Sequence, residues 1–541
     1  MTAAAYEEIV HPDGRHELTQ ETQSAVAGSS LYNEDLAPVR IERRTWTTYA
    51  YMALWIGMSV NIPSWLLASG LIALGMDWVQ ALITIALGNL IVLIPMLLNS
   101  HAGTKYGIPF PVFARASFGT LGANIPALLR AGVACGWFGI QTWIGGSAIF
   151  LLMGVIFGEG SWWTTAGQVL GQPWTLWLSF IIFWLLNVYI ILKGMNTLRV
   201  FESWSAPILV GVGVLLTAWM VILAADQPEG VGAILNQPSS LGWGGGFWAV
   251  FFPSLMGMIA FWSTLSLNMP DFTRFGRSQR EQAIGQGLGL PTTMTLFAIL
   301  AVVTTSATVA VFGEAIWDPV ALVRRLGEGA GAVGAITVIV ALFAVSLATL
   351  TTNVAANLVS PSYDFSNAWP KLISFRTGGL ITAVIGIAIQ PWNLLANERV
   401  YIFTWLGFYG GALGAIAGVL IADYWLIRGT QLKLADLYRT DGAYRFGSGF
   451  NWRGVVALVF GAVLAVGGAY SAVVNGAPNG PFPENGLIPF LKDFMGTGFN
   501  FYDYSWVVGL VAALVAYWLL ATIFPAERAA AEPAATVETA A

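Results

Sequence analysis

Trp137 and Gln141 stand four residues apart in the apolar stretch Trp137-Phe-Gly-Ile-Gln141-Thr-Trp143, so a helix there presents both on one face. An indole with an amide one turn away can stack on a flat ring and hydrogen-bond its edge. Packing for the indole and an interhelical hydrogen bond for the amide are the plain alternative. A second polar patch, Thr351-Thr352-Asn353 with Asn357 one turn further on, interrupts another apolar run. Its hydroxyls, joined by backbone carbonyls of a broken helix, would form an oxygen cage for a hard cation. Alternatively, each hydroxyl bonds back to its own helix. Carbonyls near Gly57 and Val60, in the breaker-rich run Gly57-Met-Ser-Val-Asn-Ile-Pro63, are candidates to complete such a cage.

The missing residue types narrow the chemistry. Cys135 is the single cysteine, and the three histidines, His11, His16 and His101, all fall outside the apolar runs. No Asp or Glu lies near the middle of any apolar run, Asp271 and Asp423 being placed at run ends as solvated partners of Arg274 and Arg428. Arg130, about two turns into its run, is expected to snorkel to the surface. A membrane-embedded enzyme would need a nucleophile–base pair or metal cluster at depth, and none is available. Sodium suits this set of neutral oxygens better than a proton, which has no evident buried carboxylate to ride on.

These side chains need helices to position them, and the composition supplies membrane helices. Of 541 residues, 56% are hydrophobic and 10% charged, against about 25% charged in soluble domains; the mean hydropathy is +0.68. Twelve spans are expected, at about 46–72, 79–99, 122–157, 173–193, 205–225, 245–269, 288–312, 331–359, 374–390, 400–428, 453–475 and 502–524, each with the roughly 20 apolar residues a bilayer requires. Across the connecting segments, Arg324, Arg325, Arg399 and Lys492 fall on one side, and every other Lys or Arg except Arg130 falls on the opposite one. That asymmetry puts both termini in the cytoplasm. Residues 1–38 and the Ala/Glu-rich tail from Pro525 are expected to be disordered. Trp46, Trp78, Trp162, Trp163, Trp174, Trp392 and Trp506 sit at or near span ends as an aromatic belt, whereas Trp137 and Trp262 lie too deep for one. Spans one and six both carry helix breakers, Pro253 and Gly257 marking the sixth. Breaks five spans apart are the pattern of two inverted repeats around a midplane site, though Gly and Pro are also simply common in membrane helices.

At this point the motifs converge. Asn33-Glu-Asp-Leu-Ala-Pro38, Gly107-Ile-Pro-Phe-Pro-Val-Phe-Ala-Arg115, Gly136-Trp-Phe-Gly-Ile-Gln-Thr-Trp-Ile-Gly145, Leu267-Asn-Met-Pro-Asp-Phe-Thr-Arg274, Asn353-Val-Ala-Ala-Asn-Leu-Val-Ser-Pro361 and Ile421-Ala-Asp-Tyr424 together resemble the nucleobase–cation symporter-1 family. The resemblance runs from about residue 33 to about residue 440. It implies an all-α membrane fold of twelve transmembrane helices, with a leucine-transporter-like core of 5+5 inverted repeats and two C-terminal helices. The divisions are then a tail at 1–45, repeats at 46–225 and 226–428, the additional helices at 429–524 and a tail at 525–541. By the same resemblance, a substrate ring lies between Trp137 and Trp262, with contacts from Gln141, Asn357, Asn61 and Leu406. A sodium ion, the coupling ion of this reading with no organic cofactor beside it, takes backbone oxygens of Gly57, Val60 and Ala348 and the hydroxyls of Thr351 and Thr352. Some relatives run on protons instead.

The function expected is alternating-access, cation-coupled symport, sodium favoured and proton possible, of a small planar nitrogen heterocycle. Allantoin or hydantoin-like ureides come first; uracil, cytosine and purines follow. The setting is the plasma membrane, the chain a monomer surrounded by lipid and with no nucleic-acid partner. The alternatives on the same fold are an amino-acid carrier and a substrate-sensing membrane protein. An amino-acid site would offer bare helix ends to a carboxylate, and two deep indoles argue for a flat ring.

Overall fold

A computed structural model describes residues 6–525 except 159, 194, 328–330, 396, 398, 475 and 476. Within its helices and strands, the side chains of 193, 195–206, 209, 331–334, 337, 348, 351, 355, 472, 474 and 477–479 lie outside the description. A hairpin, β1 (Glu8–Val10) with β2 (His16–Leu18), and α1 (Gln20–Ala27) open the chain. There follow α2 (Thr48–Ser59), α3 (Ile62–Ala73), α4 (Trp78–Tyr106), α5 (Phe110–Phe118), α6 (Asn124–Phe157), α7 (Trp174–Lys193) and α8 (Met195–Ala225). The second half holds α9 (Gly245–Phe261), α10 (Ser263–Asn268), α11 (Pro270–Thr273), α12 (Gln279–Phe312), α13 (Pro319–Gly327), α14 (Gly331–Asn357), α15 (Val359–Ala368) and α16 (Phe375–Ala388). A π-helical turn (Val400–Leu406) leads into α17 (Gly407–Ile421), followed by α18 (Trp452–Val466) and α19 (Ser505–Ile523).

Seven helical segments among the described residues are long and apolar enough to cross a bilayer, and the bent pair α2–α3 makes an eighth. Four further apolar helices are shorter: Val210–Ala225, Gly245–Phe261, Phe375–Ala388 and Trp452–Val466. Helical segments therefore stand at all twelve expected positions, with different lengths. α4 and α12 overrun their expected ends to Tyr106 and Gln279, whereas α18 stops at Val466. Small residues let the helices touch. A Cβ on Gly139 of α6 would lie 2.3 Å from the Gly386 carbonyl oxygen of α16, an approach that only glycine permits.

Residues 6–38, expected to be disordered, are ordered. Their anchors are far off in sequence: Glu8 accepts from Leu434 N–H (2.6 Å), Asn33 donates to the Pro370 carbonyl (2.8 Å), and Asp35 accepts from Phe375 N–H (3.2 Å). Arg44 is buried and donates to the carbonyls of Val39, Thr104, Lys105 and His16. Desolvation, aided by the charge of Arg15, lowers it to about 10. The expected C-terminal tail beyond Pro525 lies outside the described residues.

The polar placements differ more. Arg130 does not snorkel. It is fully buried and paired with Asp364 (3.1 Å), whose side chain is also buried. The eighth span was expected to end at 359, but the chain kinks at Leu358 (φ −116°, ψ −41°) and resumes as α15, carrying Asp364 into the interior. Asp271 is likewise buried and accepts from Phe110 N–H (2.8 Å) rather than pairing with Arg274. Asp423 does meet the partly exposed Arg428 (2.8 Å), but its own carboxylate is buried, with Tyr517 (2.6 Å) and Ser117 (2.9 Å) donating to it as well.

Candidate functional site

The first helix breaks where the breakers stand. α2 ends at Ser59, Val60 takes φ −86°, ψ 84°, and α3 starts 61° away. Asn61 caps α3: its Oδ1 accepts from Ser64 N–H (2.8 Å), while its amide group donates back to the Met58 carbonyl. Pro63, just inside α3, fits a helix start because its missing N–H would have had no partner there. Asn61 N–H turns to the Ser59 carbonyl (3.1 Å), and Ser64 N–H is taken by the cap. The carbonyls of Gly57 and Val60 thereby lose the donors a continuous helix would supply.

α14 packs along α2 and carries Thr352, buried at 4% exposure. The side chains of Ala348 and Thr351 lie outside the described residues. Among the described residues no three of His, Cys, Asp and Glu gather as a metal site. The donors on hand are neutral oxygens, which fit a hard monovalent cation rather than a transition metal.

The second break is at Trp262 (φ −100°, ψ 2°), between α9 and α10. Trp137 of α6 lies across from it, and the two indoles do not meet directly. Phe261 stands edge-on to both, 5.2 Å from Trp137 and 4.9 Å from Trp262 by ring centroids. Trp55 closes on Trp262 at 5.2 Å, and Trp405 and Tyr401 flank Trp137 at 6.2 and 6.1 Å. Trp137 Nε1 donates to the Tyr409 hydroxyl (3.1 Å), which donates to the Ala260 carbonyl (2.9 Å), tying α6 through α17 to the end of α9. Leu406 is fully buried at the end of the π turn, against Gly257 of α9. From the same turn, Tyr401 donates to the Pro63 carbonyl (3.1 Å).

Polar satisfaction is uneven around these rings. Asn357 donates to Asn353 (3.1 Å), and Asn353 donates to Asn187, Thr142 and the Phe138 carbonyl, each at 3.2 Å. By contrast, Gln141 Oε1 and the indole nitrogens of Trp262, Trp55 and Trp405 are buried without a partner. Native interiors leave few such atoms, and each needs a reason. The structure thus joins Trp137 and Trp262 through Phe261 in one aromatic cluster, with Gln141 one turn from Trp137 on α6 and Leu406 against Gly257 of α9. It gives the Asn61 side chain to the break and one amide N–H of Asn357 to the polar ladder beside it. Phe261 and Tyr409 were not singled out beforehand. The only available hint was adjacency, Phe261 to Trp262 and Tyr409 to the Gly410-Gly411 pair.

Residues 38–488 match the model of a family described as permeases for cytosine/purines, uracil, thiamine and allantoin. A purine-uracil permease of Arabidopsis thaliana is 44% identical over 83% of this chain and 74% of its own length. An allantoin permease of Bacillus subtilis is 38% identical over 94% of this chain and 97% of its own. Among solved structures, a nucleobase-cation-symport-1 family transporter in a closed conformation with bromovinylhydantoin bound superposes with a TM-score of 0.69. It is 27% identical and covers 92% of this chain and 97% of its own. The protein is multi-pass in the membrane, and it belongs to the nucleobase–cation symporter-1 family of permeases.

Proposed function

We propose that this permease carries a small planar nitrogen heterocycle by alternating access, coupled to sodium, with an allantoin- or hydantoin-like ureide first among the rings. Uracil, cytosine and purines follow. The observation that carries the reading is the set of unpartnered buried polar atoms, the indole nitrogens of Trp262, Trp55 and Trp405 within a cluster of aromatic faces and Gln141 Oε1 on the helix turn next to Trp137. A flat ring with alternating N–H and C=O groups satisfies both needs. The site is uncharged, so a neutral ring suits it better than an anion. Trp137 and Trp262 then hold the ring, with Gln141, Asn357 and Leu406 lining it, and Asn61 shapes the break beside it. Sodium sits between α2 and α14 on the Gly57, Val60 and Ala348 carbonyls and the Thr351 and Thr352 hydroxyls, bracing the break. The wider frame is twelve spans with 5+5 inverted repeats, a monomer in the plasma membrane, and both termini in the cytoplasm.

The named relatives support the substrate class, and the freed carbonyls support the ion. Thermal unfolding of the purified protein, with about a dozen rings, with and without sodium, tests both. One ring class should raise Tm, and more so in sodium. No stabilising ring would refute the substrate class, and a stabilising ring indifferent to sodium would refute the ion.

A further inference from the structure

Directly below the ring cluster lies a second buried constellation that the carrier reading does not use. Arg130, Trp137 and Gln141 are spaced seven and four apart on α6, so they share one face, with Arg130 two turns from the indole. Asp364 follows Asn357 by seven residues across the Leu358 kink, and Asp271 follows Trp262 by nine. The three meet. Asp364 pairs with Arg130 (3.1 Å), and both carboxyls feel the Arg130 charge and, for Asp364, that of Asp271. The Ser360 hydroxyl oxygen accepts from the Asn268 amide, which links α15 to α10. One oxygen of Asp271 takes Phe110 N–H; its other oxygen, Oδ1 of Asp364 and Nε of Arg130 are buried without partners.

The other groups facing this cluster leave its charge unbalanced. α6 adds Cys135 and α15 adds Tyr363. Arg274 attracts Asp271 but donates to the carbonyls of Asp35 and Ala37 and lies over Tyr363. The Asp35 carboxylate accepts from Phe375 N–H. Arg115 of α5 turns to Asn367 and to the carbonyls of Leu437 and Leu31. Arg130 is therefore taken by Asp364, and Asp271 is a second buried carboxyl with no cation bonded to it among the described residues and one oxygen unpartnered. Burying the surplus one as an anion costs far more than burying it as the neutral acid.

We propose that Asp271, Asp364 and Arg130 are a one-proton lock on the floor of the ring site. The proton is held while the floor is shut and released to the cytoplasm as it opens. The proposal rests on the carrier reading, in which α10–α11 must part from α6 and α15 before the ring can leave inward. On parting, water reaches Asp271. The O–H bond on its unpartnered oxygen breaks, the proton passes to water, and the carboxylate is left hydrated, while Arg130 and Asp364 remain paired. On closing the proton returns. An acidic cytoplasm therefore holds the floor shut, and an alkaline one frees it.

The test is initial uptake into proteoliposomes at fixed external pH and fixed sodium gradient, with lumen pH stepped across roughly 5.5 to 8.5. Wild-type uptake should rise with lumen pH, by up to about tenfold per unit on the acid limb for one proton, and then level off. Asp271→Asn, a permanently neutral stand-in, should flatten that limb, and Asp271→Glu should restore it. A flat wild-type profile overturns the lock even if the Asn variant does not fold. So does an Asn variant with the wild-type slope. Ring binding by thermal shift separates the two readings: a wild type that binds no ring sinks the carrier reading, whereas binding with a flat profile sinks the lock alone.

Discussion

Trp137→Ala is expected to weaken ring binding at least about thirtyfold and to remove measurable uptake, while the protein still reaches the membrane. The magnitude follows from the cost of truncating a central buried aromatic, about 2 kcal/mol or more. Two losses combine in this variant. One face of the ring site disappears, and so does the donor to Tyr409, through which α6 holds the end of α9 next to Trp262. Trp137→Phe keeps a ring but no donor, so it should retain part of the binding. Tyr409→Phe breaks the relay and leaves the stacking face in place, and should bind better than Trp137→Ala. Radiolabelled ring uptake, normalised to folded protein by size-exclusion chromatography, checks all three. Wild-type uptake by Trp137→Ala would show that the indole packs and nothing more.

The largest effect on stability is expected from Arg130→Ala. Removing one partner of a buried ion pair costs about 3–5 kcal/mol, because the other is left buried and unpaired. Here the variant strands the buried Asp364 carboxylate. A volume-matched double replacement, Arg130→Met with Asp364→Leu, should recover much of the loss. Unfolding of detergent-purified protein would read this order directly. Equal stability of Arg130→Ala and wild type would mean that the pair is solvated in the membrane after all.

How much of this was readable beforehand depends on the range of the interactions. Trp137 and Gln141 were legible because helical period alone puts them on one face, and the first break was legible from Gly and Pro; the second falls at Trp262, past Pro253 and Gly257, which lie inside α9. The cap role of Asn61 was also written locally, as Asn61 two residues before Pro63 and three before Ser64. Asp364 was not legible: the polar run Ser360-Pro-Ser-Tyr-Asp364 looks like the end of a span, and only packing of α15 against α6 shows that it is interior. Residues 6–38 carry little apolar surface, and what orders them is a set of bonds to segments hundreds of residues away, such as Glu8 to Leu434. Phe261 and Tyr409 carry no polarity flag in an apolar run, so their place beside Trp137 appears only in three dimensions.

The aromatic cluster is expected to serve vectorial, cation-driven transport of a flat ring. Accumulation in proteoliposomes tests it most directly, with purified protein, an inward sodium gradient and the ring chosen by thermal shift. The ring should reach a higher concentration inside than outside, and fall back when the gradient is collapsed. Equal concentrations on both sides, whatever the gradient, would contradict the account.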